Sequence, residues 1–132
     1  MRMSDEEYFR SCVAKERHIA QLLGHEVEEY ADSAGTLWIN REKVPQWTRD
    51  WQACGALMTA FAVPVSFHRE EGEACWSCVH AGPVSVRASD HPNRERALMA
   101  AVAKAVIHFL EHDKAHRHLA HPERLPGMRR SA

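Results

Sequence analysis

Val44-Pro45-Gln46-Trp47-Thr48-Arg49-Asp50-Trp51-Gln52-Ala53-Cys54-Gly55-Ala56-Leu57 decides the fold of this chain. Its proline holds the lead-in extended, because the ring fixes φ and disfavours helix in the residue before it. Thr48 or Asp50 then offers a side-chain oxygen to the exposed N–H groups of a helix start. The spacing of Trp51, Cys54, Leu57, Met58 and Phe61 predicts the inward face of that helix. Gly55 within it costs about 1 kcal/mol against Ala, so it predicts a close approach by a neighbouring element.

Upstream, Ser4 with Glu7 three residues on reads as a capping box, and the acidic first turn suits the helix dipole. Phe9, Cys12, Val13, Ile19 and Leu23 mark an imperfect apolar face that ends at Gly24. A short strand around 26–30 follows. Asp32-Ser33-Ala34-Gly35 is a turn signal, and residues 36–40 return as a second strand.

Downstream, Val63, Val65 and Phe67 alternate with small or polar residues, and Pro64 assigns their strand to a sheet edge. Glu71-Gly72 turns into a strand over about 74–80 that carries Trp76. Gly82-Pro83 turns again into Val84, Val86 and Ala88. Asp90 or Asn93 caps the last helix, with Pro92 fixing its entry and Leu98, Ala101, Val102, Ala105, Val106 and Phe109 as its buried stripe. This predicts a three-layer α-β-α sandwich of the α+β class: a small, mostly antiparallel sheet with about three helices. Residues 1–121 form one domain and residues 122–132 a flexible basic tail.

The composition suits a folded domain, with 132 residues, 45% of them apolar and 27% charged. A net charge of −1 argues against strong attraction of the whole chain to nucleic acid or a membrane. No apolar run is long enough to span a bilayer, and the acidic start is unlike a signal peptide. Cys12, Cys54, Cys75 and Cys78 sit in apolar contexts and read as reduced thiols of a cytoplasmic protein.

Taken together, Gly35-Thr36-Leu37-Trp38, Pro45-Gln46-Trp47-Thr48-Arg49-Asp50, Ala53, Trp76, Asp90 and the Ala-rich stretch 97–105 resemble small phage "ABA sandwich" proteins, including NinX-like proteins. The resemblance covers about residues 19–110. It implies an α-β-α layered domain from a phage or prophage genome, acting in the host bacterial cytoplasm, and it supplies no catalytic residues.

Three clusters of residues suggest chemistry. Cys75-Trp76-Ser77-Cys78 has the spacing of half a zinc site, but a strand would turn the two thiols to opposite faces and no second pair completes four ligands. Core cysteines are the better reading. His108, His112 and His116 recur at helical spacing; two such histidines can share a metal, but three in a row cannot reach one ion. A solvated helix end that gains charge in acid is favoured there, so no cofactor is expected, zinc being the candidate if a metal binds. Basic residues from Arg94 to Arg130 are broken up by acids, which weakens a nucleic-acid surface.

No nucleophile elbow, phosphate loop or zinc-deaminase signature is present, so the expectation is a non-catalytic protein. The expected function is binding and inhibition of a host protein complex, of the anti-defence or anti-CRISPR type. The candidate contacts are Glu26, Glu28, Glu29 and Asp32, with Trp47 and Trp38 as anchors if exposed, and Arg117 and Arg124 in the tail. The alternatives are a metal- or nucleic-acid-binding protein that uses the histidine-rich helix, and a structural homodimer.

Overall fold

The computed structural model describes residues 3–112 and 125–128. Helix α1 (Asp5–Leu22) is followed by strands β1 (Glu28–Glu29), β2 (Leu37–Ile39) and β3 (Glu42–Lys43). Helix α2 (Trp51–Phe61) leads to β4 (Val65–His68), β5 (Cys78–Ala81), β6 (Val84–Arg87) and helix α3 (Arg94–His112). The small α+β fold with three α-helices is the expected one. Its strands divide into two antiparallel three-stranded sheets, ordered β1-β2-β3 and β4-β5-β6.

Each helix start uses a capping residue foreseen from the sequence. Ser4 Oγ accepts from the Glu7 N–H at 3.1 Å and donates to the Glu7 carboxylate. Asp50 caps α2 by accepting from the Gln52 N–H at 3.1 Å. Asn93 does the same for α3 from the Arg96 N–H at 2.8 Å. Thr48 leaves capping to Asp50 and turns its hydroxyl toward α1.

Helix α3 occupies the centre, packed against α1 and α2 on one side and against β5 and β6 on the other. A helix in that position has to be apolar nearly all round. Ala97, Ala101, Val102, Ala103, Ala105 and Val106 are indeed buried, and the alanines let the neighbours approach closely. In α2 the buried line is Ala53, Leu57 and Phe61, one turn apart, with Cys54 beside it. Trp51, expected to face inward, is 51% exposed, because it opens the first turn on the side away from that line. Gly55 meets no neighbour: a Cβ there would find nothing within 4 Å.

Some strand boundaries differ from the sequence reading. β3 was not foreseen. It is reached through Asn40 and Arg41, both left-handed at φ 50° and 68°, a hairpin turn in which Arg takes the place where Gly is usual. β5 starts at Cys78, so Trp76 precedes it instead of lying on it. The chain from 69 to 76 makes a turn at Gly72, and pairing resumes where the Ser77 N–H donates to the His68 carbonyl at 2.9 Å. Outside the ladder, Cys75 is exposed, and Cys78 is only half-buried, so neither is a core cysteine. Cys12 and Cys54 are buried, and burial pushes the Cys54 thiol up to about 12. β4 lies at a sheet edge, as Pro64 requires.

Part of the stretch read as a loose tail is docked. Leu125 is buried, and the Pro126 carbonyl accepts from Trp47 Nε1 at 2.8 Å. Residues 122–124 and 129–132 of that stretch lie outside the described ones.

The gap in the apolar face of α1 is Glu16, at a position where a hydrophobic residue would complete the stripe. Its carboxylate is 1% exposed. It accepts from the Thr48 N–H (3.1 Å), the Thr48 hydroxyl (2.7 Å) and both Nε and Nη2 of Arg49. Arg49 Nη2 also donates to the Gly35 carbonyl at 3.0 Å, and its guanidinium lies 5.4 Å from the centre of the Phe9 ring. Gly35 sits at φ +87°, and a Cβ there would fall 2.1 Å from Phe9, so only glycine fits.

Replacing Glu16 with Ala leaves the Thr48 N–H and Arg49 Nε without their acceptor, and the Arg49 guanidinium without its counter-charge, in a largely buried site. The expected loss is about 3–5 kcal/mol, read as a lower urea midpoint at unchanged slope. A loss below about 1 kcal/mol, the size of an exposed ion pair, would show that the cluster is dispensable.

A second buried polar contact predicts a pH dependence. His91 Nδ1 lies 2.6 Å from the Tyr8 hydroxyl, and burial, then Lys104 and Lys15, lower the imidazole from 6.5 to about 4. Between those values the unfolded chain takes up a proton that the folded chain refuses. Stability is therefore complete above about pH 6.5 and falls toward pH 4, by on the order of 3 kcal/mol. Melting temperatures across that range should fall less steeply in His91→Asn than in the wild type.

Candidate functional site

The first sheet turns one side to solvent. Glu28, Trp38 and Lys43 stand side by side across β1, β2 and β3. Because successive strand residues alternate faces, Leu37 and Ile39 point the other way, into the core. Tyr30, just past β1, joins the outer side, with its ring centre 6.5 Å from that of Trp38. Its hydroxyl donates to Glu28 Oε2. Trp38 is held by its Nε1, which donates to Ser33 Oγ at 3.3 Å in the 3-10 turn Ala31–Ser33, and the Lys43 ammonium lies 5.8 Å from the ring centre. The two aromatics are thus fixed in place while Tyr30 remains 49% exposed.

Acidic groups border this pair. The hydrogen bond to Glu28 is the main reason the Tyr30 phenol is held above its ordinary 10.0; partial desolvation and the charges of Glu28 and Asp32 add to it, while Arg41 opposes. Glu26, Glu28 and Asp32 are all exposed. Glu29 has a different role. It accepts from the Gly35 N–H at 2.7 Å and pairs with Arg10 at 3.0 Å and Arg17 at 2.8 Å. The Gly35 N–H first, then Arg10, hold its carboxyl below the usual range. Glu29 therefore ties the hairpin to α1 and is not available to a partner.

Trp47, a candidate anchor, is fully buried, with its Nε1 donating to the Pro126 carbonyl, and cannot touch a partner. The extended Pro lead-in points its indole into the core. Arg117, Arg124 and His116 lie outside the described residues. His108 and His112 are exposed on the last turns of α3, with ring centres 4.8 Å apart. Among the described residues, no group of three His, Cys, Asp or Glu is placed to hold a metal ion. No described helix is long and apolar enough to cross a membrane.

Tyr30 is the functional candidate that the sequence reading missed, although a tyrosine between two glutamates and an aspartate is a visible signal. A separate exposed aromatic, Phe67, packs at 5.0 Å on Trp76, whose carbonyl accepts from Arg94 Nε at 2.8 Å.

The pairing of Tyr30 with Glu28 can be tested by titration. In Glu28→Gln the Tyr30 phenol should ionise at lower pH than in the wild type, followed by its ultraviolet band against a Tyr8→Phe background. An unchanged midpoint would show that the contact does not form in solution. No protein-family model matches this chain, and no curated protein or solved structure matches it.

Proposed function

We propose that this chain is a non-catalytic binding protein whose outer β1-β2-β3 face docks on a host protein complex. The observation that supports it is the Tyr30–Trp38 pair, held at the surface by Ser33 and Glu28 and bordered by the acidic groups of Glu28 and Asp32. Rigid, amphipathic aromatics of this kind dominate protein interfaces, since they bury a large area at a small entropic cost. The acidic rim favours a partner with basic residues around an apolar groove, such as a site that otherwise receives nucleic acid.

The resemblance to small phage proteins provides the setting. In this reading the protein is a phage or prophage accessory factor that covers a basic surface of a host immunity complex, for instance a CRISPR–Cas effector. Inhibition then follows from occupancy, with no bond made or broken.

Immobilised wild-type protein and the variants Tyr30→Ala and Glu28→Lys, each checked for an unchanged melting temperature, should be exposed to bacterial host lysate. The expected result is one dominant complex, recovered near stoichiometry by the wild type and at least tenfold depleted in both variants. Equal recovery by the variants, self-association alone, or nuclease-sensitive nucleic acid in the eluate would overturn the proposal.

A further inference from the structure

A cavity of about 340 Å³ opens between α1 and α3, lined by Tyr8, Ser11, Lys15, Asp90, His91 and Lys104 among others. It shares no residue with the aromatic face. Two ammonium groups therefore face one carboxylate. Neither Lys15 nor Lys104 makes an ion pair with a carboxylate among the described residues. Glu16, next to Lys15 in sequence, is fully engaged by Thr48 and Arg49.

The surroundings add to the positive charge. The Arg96 guanidinium lies 5.4 Å from the centre of the Tyr8 ring, and its Nη2 is 3.7 Å from Cys12 Sγ. Arg96 Nε is buried without a hydrogen-bond partner. The depressed titration of His91 leaves that ring neutral at pH 7, so it contributes no charge. Lys15, half-buried, loses proton affinity first to burial and then to the like charge of Lys104. An anion placed between the two lysines would relieve both effects.

The detailed geometry favours a dianion. Lys15 Nζ donates to Ser11 Oγ at 2.6 Å, which leaves the Ser11 hydroxyl proton free to donate onward. With Asp90 offsetting one of the three cations Lys15, Lys104 and Arg96, two positive charges remain, and a lone carboxylate would compensate only one of them. A phosphate monoester, close to doubly charged at neutral pH, compensates both and offers three acceptor oxygens. The volume, at the lower end for ligand pockets, leaves room for a small organic group beside Met3 and Ala100.

We infer that this cavity is a binding site for a small phosphorylated metabolite, its phosphate held between Lys15 and Lys104 and capped by the Ser11 hydroxyl. Asp90, an exposed residue of the same lining, repels a phosphate that lies nearer to it than to the lysines.

The test is calorimetric titration of the full chain at pH 7.5 with inorganic phosphate and with glycerol phosphate, against acetate at matched ionic strength. Saturable one-site binding of both phosphates, and none of acetate, is expected. Lys15→Gln and Lys104→Gln should each weaken it at least tenfold, while Lys43→Gln, on the first sheet, leaves it unchanged. Lys104 is exposed, so its variant folds and decides the matter even if Lys15→Gln does not. Lack of saturation, equal binding of acetate, or full binding by Lys104→Gln would overturn the assignment.

Discussion

The buried carboxylate of Glu16 is the constraint on which the rest of the structure depends. It brings α1, the segment that leads into α2 and, through Arg49, the hairpin turn at Gly35 to one point. An ion removed from water is tolerated only when its lone pairs are satisfied, and here four donors satisfy them. Glu29 repeats the arrangement at the surface, linking Gly35 N–H to Arg10 and Arg17. Gly35 is thus gripped at both its N–H and its carbonyl, and Phe9 fills the space where a side chain would stand. The first sheet, only two to three residues per strand, owes its position to this clamp more than to its own ladder.

That dependence also supports the outer aromatic pair. Trp38 can face water only because Leu37 and Ile39 on the same strand are drawn into the core, and this alternation is set by where the hairpin is anchored. A one-residue slip of the hairpin would bury Trp38 and expose Leu37. The polar clamp behind the sheet therefore determines the chemistry presented in front of it.

Much of the fold was legible because it rests on local rules. The caps at Ser4, Asp50 and Asn93, the edge placement imposed by Pro64 and the alanine stripe of α3 follow from residues acting within one or two turns. The errors share a cause: they arise where tertiary contacts overrule local pattern. Thr48 looks like a cap but serves Glu16. Trp51 has the right spacing for a core residue yet lies on the open side of α2. Trp47, an anchor only if exposed, is buried, and its indole N–H is met by a carbonyl far along the chain. Within the candidate site, Glu28, Asp32 and Trp38 could be read from the sequence. The acids around Tyr30 are visible in the sequence, but its stacking on Trp38 depends on the hairpin that returns after the 3-10 turn, and the pairing of Glu29 is hidden because its arginines come from another element.

The cover over Trp47 bears on how the molecule is assembled during synthesis. Its indole N–H waits for the Pro126 carbonyl, 79 residues downstream. Helices α1, α2 and α3 can meet as they emerge from the ribosome, but the central tryptophan stays open on one side until the stretch Leu125–Met128 arrives. Contacts across so long a separation close late, since the chain pays the loop entropy before it gains the contact. A nascent chain stalled before Leu125 would thus display an uncovered tryptophan, a natural handle for chaperones and proteases.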